Sequence, residues 1–276
     1  VRIALGEAAA FLGDDGGPPL DLVIRSRLPP GSGFGSSAAA AVAVVGGYLA
    51  WRDAAVSPAD IAGVALEVER RQHGLPSGVD GATVLHGGVL WAERDAAGAL
   101  LVRPLPGRSP LLGELAVFDT GTPAEGTGTV VAAVRSRLAA DRGAVTALWD
   151  RIEAGARALR GLLEETAGGD AAGPGGLAGA RRRLCDLLHG GEAALEALGV
   201  VPDAVRRRVR RVEAAGGAAK ISGAGSLAGP GAGSLLVGHP EPGRAAGLPG
   251  VGDLPRHPVC LGGPGLLVEA HTRSRR

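Results

Sequence analysis

A folded protein of mixed helix and strand is what this 276-residue sequence predicts, on three observations. Hydrophobic residues make up 45% of the chain, enough for a real core despite 48 Gly and 19 Pro, so the glycines belong to loops rather than to a low-complexity polymer. Apolar residues recur with helical spacing in Val1 to Leu12, Ala38 to Trp51 and much of the chain after Val130. Shorter runs at Leu20 to Leu28, Val84 to Glu93, Gly113 to Asp119 and Ser234 to Val237 read as strands.

The elements follow in order. A first helix ends near Leu12, and a strand at Leu20 to Leu28 feeds a glycine turn that opens the Ala/Val helix. Ser57-Pro58-Ala59-Asp60 is a helix start, with serine as cap and proline at the first position, and that helix runs to about Gln72. The strands at Val84 to Glu93 and Gly113 to Asp119 close a first domain, residues 1–112, with a second over 113–276. A helix through Arg135 to Glu165 precedes a flexible Gly/Ala/Pro loop at Ala167 to Ala180. Helices near Arg181 to Leu198 and Asp203 to Ala215 follow, then a second glycine-rich segment beginning at Ala219 to Ser222, and a last short strand at Leu266 to Ala270.

Composition excludes several classes of function. A net charge of +1 supplies no long-range field for nucleic acid or an anionic membrane. The basic runs at Arg181–Arg183, Arg206–Arg211 and Arg273–Arg276 lack interleaved aromatics to stack on bases, so they read as solvated helix faces and a tail. Ala38 to Trp51 is too short to cross a bilayer and contains Gly46-Gly47. Cys185 and Cys260 have no metal-ligand spacing and suit a reducing, cytoplasmic setting.

Three segments can carry chemistry. Pro29-Pro30-Gly31-Ser32-Gly33-Phe34-Gly35-Ser36-Ser37-Ala38-Ala39 is a glycine turn running into a helix. Glycines let backbone approach an anion, and the helix start offers free N–H groups at the positive end of its dipole. It is not a Walker loop, since no lysine follows the last glycine. The plain alternative is a turn that caps a core helix through Ser36 or Ser37. The second segment runs from Glu67 to Asp80, a helix broken at Gly74 and Pro76 with Ser77 and Asp80 in the turn. Glu67 and Glu69 point to opposite sides of that helix, and Glu69 shares a face with His73. A solvated helix end is its alternative. The third, Lys220-Ile221-Ser222-Gly223-Ala224-Gly225 and on to Gly233, is a glycine loop after a strand, able to cover a ligand or to be a flexible turn. Lys220 is the only lysine in the chain.

Together these segments resemble the GHMP kinase superfamily. Pro29 to Ala39 looks like its ATP loop, and Lys220 to Gly225 like its C-terminal glycine motif. His73-Gly74-Leu75-Pro76-Ser77-Gly78-Val79-Asp80 resembles the His-Gly-x-Pro-Ser-Gly-x-Asp of the mevalonate kinase branch. Asp119-Thr120-Gly121, Thr127, Val130 to Arg135 and Leu198-Gly199-Val200 resemble stretches of that branch's C-terminal half. The resemblance implies an α+β protein of two lobes, the N-terminal one like domain 2 of ribosomal protein S5 and the C-terminal one ferredoxin-like.

It also implies an ATP-dependent kinase that phosphorylates the primary hydroxyl of mevalonate to 5-phosphomevalonate. By this resemblance Asp80 is the catalytic aspartate, and Ser37 and Glu69 hold Mg²⁺. Pro30, Gly31, Ser32, Gly33, Phe34, Gly35, Ser36 and Ser37, with Gly223, Ala224 and Gly225, cradle ATP. His73, Ser77 and Thr127 face the alcohol substrate. A homodimer is compatible with it. Two departures stand out. Val1 to Leu28 has no counterpart of the family's first strand and lysine motif, so an incomplete N-terminal lobe is expected. Ser226-Leu227-Ala228 interrupts the third motif's glycines. Another GHMP kinase, or an inactive truncated or regulatory protein on the same fold, is the competing reading.

Overall fold

The computed structural model describes residues 1–14, 19–29, 31–74, 76–105, 108–168 and 175–269. It divides into two compact units: Val1–Leu28, Gly35–Pro104 and Gly262–Arg276 form the first, and Pro29–Phe34 with Leu105–Leu261 the second.

In the first unit, four helices precede a hairpin: α1 (Arg2–Phe11), α2 (Ser36–Trp51), α3 (Pro58–His73), α4 (Val79–His86), β1 (Leu90–Arg94) and β2 (Leu100–Pro104). The Ala/Val helix α2 is apolar on nearly every side because it packs against α1, α3 and α4 at once. Val42, Val45, Leu49, Val68 and Ala8 are its core. The start of α3 has both halves of a capping box: Ser57 Oγ accepts from the Asp60 N–H, and Asp60 accepts from the Ser57 N–H. Ser57→Ala is expected to cost about 1 kcal/mol of stability, measured by denaturant unfolding; an unchanged midpoint would show that the cap is dispensable.

The second unit has a four-stranded antiparallel sheet in the order β4-β5-β3-β6, where β3 is Ala116–Asp119, β4 Ala218–Ser222, β5 Ser234–Gly238 and β6 Arg256–His257. Its helices are α5 (Thr127–Ala140), α6 (Arg142–Thr166), α7 (Gly176–Ala197) and α8 (Asp203–Ala214). The apolar stripe of α8, Val205, Val209 and Val212, packs with Phe118, Ile221, Leu235 and Val237 into one core. Leu162, Leu184 and Leu188 join α6 to α7.

Five expectations need correction. Leu20 to Leu28 forms no strand: it has no hydrogen-bonded neighbour among the described residues, and Val23 is 72% exposed. Alternation makes a strand only where a sheet edge takes it up. Val84 to Glu93 begins as the end of α4, because Leu85 packs into the helical core, and turns to strand only after Gly87 and Gly88, both at positive φ. The single helix through Arg135 to Glu165 is two, broken at Asp141, whose extended backbone and Oδ1 cap the Ala144 N–H of α6. Residues 266–269 form no strand; one isolated bridge joins Gly87 to Pro264, and Ala270 lies outside the described residues. Part of the 167–180 loop and the Arg273–Arg276 tail lie outside them too. The expected strand at Gly113 starts only at Ala116, after a 3₁₀ turn over Pro110–Glu114.

Candidate active site

The first unit gathers one set of groups. Helix α2 begins on Gly35, at φ +66, with no side-chain cap. A left-handed residue is needed to turn the chain into the helix there, which is why glycine stands at that position. Neither Ser36 nor Ser37 is its cap residue. An uncapped helix start keeps its N–H groups and positive dipole end for an anion. Ser37 Oγ donates to Gln72 Oε1 at 2.9 Å. Gln72 lies on α3 three residues after Glu69, on a neighbouring position of the same helix face.

Glu69 is 7% exposed, and its Oε1 has no hydrogen-bond partner among the described residues. Glu67, by contrast, is only half-buried and pairs with Arg70, so the two carboxylates do diverge as the helical spacing requires. Gly81 permits the approach of α4: a Cβ there would stand 3.3 Å from Glu69 Oε1. Burial, and secondarily the Asp80 charge, push the Glu69 carboxyl above its ordinary range. A carboxyl raised on folding stabilises the native state only below its unfolded pKa, and that contribution is lost as pH rises through the folded value. Glu69→Gln is therefore expected to unfold at a higher temperature than the parent at pH 8, with the advantage shrinking toward pH 4 in a thermal-melt series. An advantage that grew on acidification would contradict the burial account.

Asp80 is the second residue of α4, exposed, behind the uncapped Gly78 at φ +79. The turn ahead of it is fastened: Ser77 Oγ accepts from the Val79 N–H at 3.2 Å, and Arg94 of β1 donates to the Ser77 carbonyl at 2.9 Å and the Gly98 carbonyl at 2.7 Å. Sequence reasoning missed Gln72 and Arg94. Gln72 had a signal in its helical offset from Glu69; Arg94 had none, because only the hairpin brings it to Ser77. The side chain of His73 and all of Pro30 lie outside the described residues.

The second unit brings the two glycine segments together by backbone. Gly33, at φ +72, would place a Cβ 3.1 Å from the Ser222 carbonyl, and Gly233, at φ +79, would place one 2.8 Å from the Ser32 carbonyl. Gly223 is in ordinary contact, its Cβ position 3.5 Å from Gly33 Cα. Phe34 meets His257 edge to face at 4.8 Å between ring centroids. Thr120 holds the far side: its Oγ1 donates to the Gly233 carbonyl and accepts from the Ala232 N–H. Ser226, within the departure from continuous glycines, is fully buried and donates to Glu125 Oε2 at 2.6 Å, which also takes the Leu227 N–H. The Ser226 hydroxyl and that N–H hold the Glu125 carboxyl below its usual range. This staple ties the segment after Gly225 to the turn ahead of Thr127, the exposed first residue of α5. Glu125 was not singled out from sequence.

Among the described residues no group of three or more His, Cys, Asp or Glu could hold a metal ion. A buried carboxylate with an unpartnered oxygen, one helical turn from the glutamine that holds the Ser37 hydroxyl, nevertheless fits a hard divalent cation whose remaining ligands are phosphate oxygens and water. No helix of the described residues is long and apolar enough to cross a membrane.

The family model described as "GHMP kinases N terminal domain" matches residues 3–88. Over that stretch the chain matches the GHMP kinase N-terminal domain, and its α+β fold is that of the solved GHMP kinase structures it resembles. The relatives it matches are mevalonate kinases. That of Aeropyrum pernix is 34% identical over 209 residues, covering 75% of this chain and 58% of the relative. That of Mus musculus is 37% identical over 136 residues, 44% of this chain and 32% of the relative. The chain thus spans under three fifths of the length of either. The crystal structure of L. major mevalonate kinase in complex with R-mevalonate superposes with a TM-score of 0.67 at 21% identity, covering 92% of this chain and 74% of that one.

Proposed function

We propose that this chain is an ATP-dependent, Mg²⁺-requiring kinase acting on the primary hydroxyl of mevalonate. The observation that supports the reading best is the buried Glu69 with its unpartnered Oε1, beside Asp80 and one turn from Gln72, which takes the Ser37 hydroxyl. In this reading Ser37 and Glu69 hold the cation, which when bound neutralises charge on the phosphate oxygens. The start of α2, from Gly35 to Ser37, and the backbones of Gly31–Phe34 and Gly223–Gly225 take up the triphosphate, with Pro30 assigned by resemblance. Asp80 orients the attacking hydroxyl and accepts its proton as the alcohol oxygen bonds to the γ-phosphorus and the bond to ADP breaks. Ser77, His73 and Thr127 are assigned to the alcohol substrate.

A coupled ADP-release assay across mevalonate, homoserine and sugar alcohols tests the substrate. Turnover with mevalonate alone supports the proposal; turnover only with another alcohol redirects it within the GHMP kinases. Nucleotide binding without turnover of any alcohol would favour a non-catalytic protein on the same fold.

A further inference from the structure

Lys220, the only lysine in the chain, takes no part in the function just proposed. It lies on β4, the outer strand of the second unit's sheet. An edge strand leaves one side of its backbone without ladder partners, and natural edges are commonly covered by side chains or another element. At Ile221 both groups are served by side chains: the N–H donates to Glu192 Oε2 at 2.9 Å, and the carbonyl accepts from Lys220 Nζ at 2.9 Å. Glu192 comes from α7 and is fully buried, with Oε1 unpartnered among the described residues. Gly191 makes room for the lysine stem, since a Cβ there would stand 3.1 Å from Lys220 Cδ and Cε.

A buried carboxylate with an idle oxygen is expensive, and an apolar residue of similar size would be more stable at such a place. This one grips the backbone two residues before Gly223. We infer that Glu192 is a positioning residue for the glycine segment Gly223–Gly225, fixing the end of β4 through the Ile221 N–H while Lys220 supplies the counter-charge and holds the adjoining carbonyl. The inference rests on the reading of that segment as part of the nucleotide site.

Proton uptake is the natural variable of such a device. Burial pushes the Glu192 carboxyl up to about 7. Around it stand Lys220 on β4, Glu196 on α7 and Arg210 on α8; Arg210 is itself paired with Glu196 and Glu213. Desolvation lowers the Lys220 ammonium and Glu192 raises it. Loss of the Glu192 charge at low pH weakens the grip on Ile221, as a neutral amide in its place would.

The test uses the full chain and Glu192→Gln. A non-hydrolysable ATP analogue with Mg²⁺ is titrated at pH 8 and pH 6, and taking the ratio of variant to parent Kd cancels protonation of the ligand. The expected ratio is about tenfold at pH 8, the size of loss typical for supporting groups behind a ligand-binding residue, falling toward one at pH 6. In parallel, [¹³C]lysine labelling gives a single lysine signal, whose titration is expected to share a midpoint with the Gly223–Gly225 amide shifts of the parent. A ratio near one at both pH values, with those amides unmoved by the substitution, would overturn the inference. If neither protein binds nucleotide, the reading of the segment fails, and the amides alone decide whether Glu192 positions it. If the variant does not fold, the parent titration decides: glycine amides that ignore the Lys220 midpoint overturn the inference.

Discussion

Asp80→Asn lowers turnover of the alcohol substrate by about 10²–10⁴-fold, the usual contribution of a positioned general base, while the chain keeps its fold and its affinity for Mg-ATP. The two halves of that expectation have separate physical grounds. Asp80 is exposed in the first turn of α4, and no hydrogen bond or ion pair to its side chain is found among the described residues. Asparagine therefore forfeits little beyond the helix-dipole attraction for a negative first-turn residue, about 0.3–1 kcal/mol. Removing the charge also relieves Glu69, whose carboxyl Asp80 helps to raise. Circular dichroism and calorimetric titration with Mg-ATP check the unchanged half, and steady-state kinetics with mevalonate checks the lost one. A variant that turned mevalonate over at the parent rate would remove Asp80 from the chemistry.

Gly225→Ala is expected to be the most destabilising single-methyl change in the glycine segments. The position has φ +77, and a Cβ would stand 2.1 Å from the Val200 carbonyl, which accepts the Ser226 N–H. Left-handed strain and overpacking each cost about 1–3 kcal/mol. Together they come to about 4 kcal/mol, or about a 10 °C fall in Tm for a chain of this size. The obstacle is backbone rather than a flexible side-chain tip, and Val200 sits in a core cluster with Val130, Val145 and Leu198, so it has little freedom to give way. Gly98, at φ +83 in the hairpin turn with nothing near its Cβ position, is the control that isolates backbone strain from the clash. Equal melting temperatures for the two alanine variants would contradict the packing account.

Much of this was legible in the sequence because it depends on local rules. Ser57-Pro58-Ala59-Asp60 announces its helix, and the Glu67/Glu69 divergence follows from helical geometry alone. Val205, Val209 and Val212 recur at helical spacing and do line the core. What could not be read depends on long-range partners. Leu20 to Leu28 alternates like a strand yet pairs with no strand among the described residues, and Val84-Leu85 could serve strand or helix until the Gly78 turn settles it. Arg94, Gln72 and Glu125 support neighbouring segments through contacts that exist only after folding. Lys220 stood out by composition, but its partner Glu192 is 28 residues away and shows no local signal.

The central claim, phosphoryl transfer to mevalonate, is tested most directly by incubating the full chain with Mg²⁺, γ-³²P-labelled ATP and R-mevalonate and identifying the labelled product. The account predicts label on the primary-hydroxyl oxygen as 5-phosphomevalonate, dependent on Mg²⁺ and formed about 10²–10⁴-fold more slowly with Asp80→Asn. Label that stays on ATP or appears only as inorganic phosphate, in a protein that binds both ligands, would contradict it.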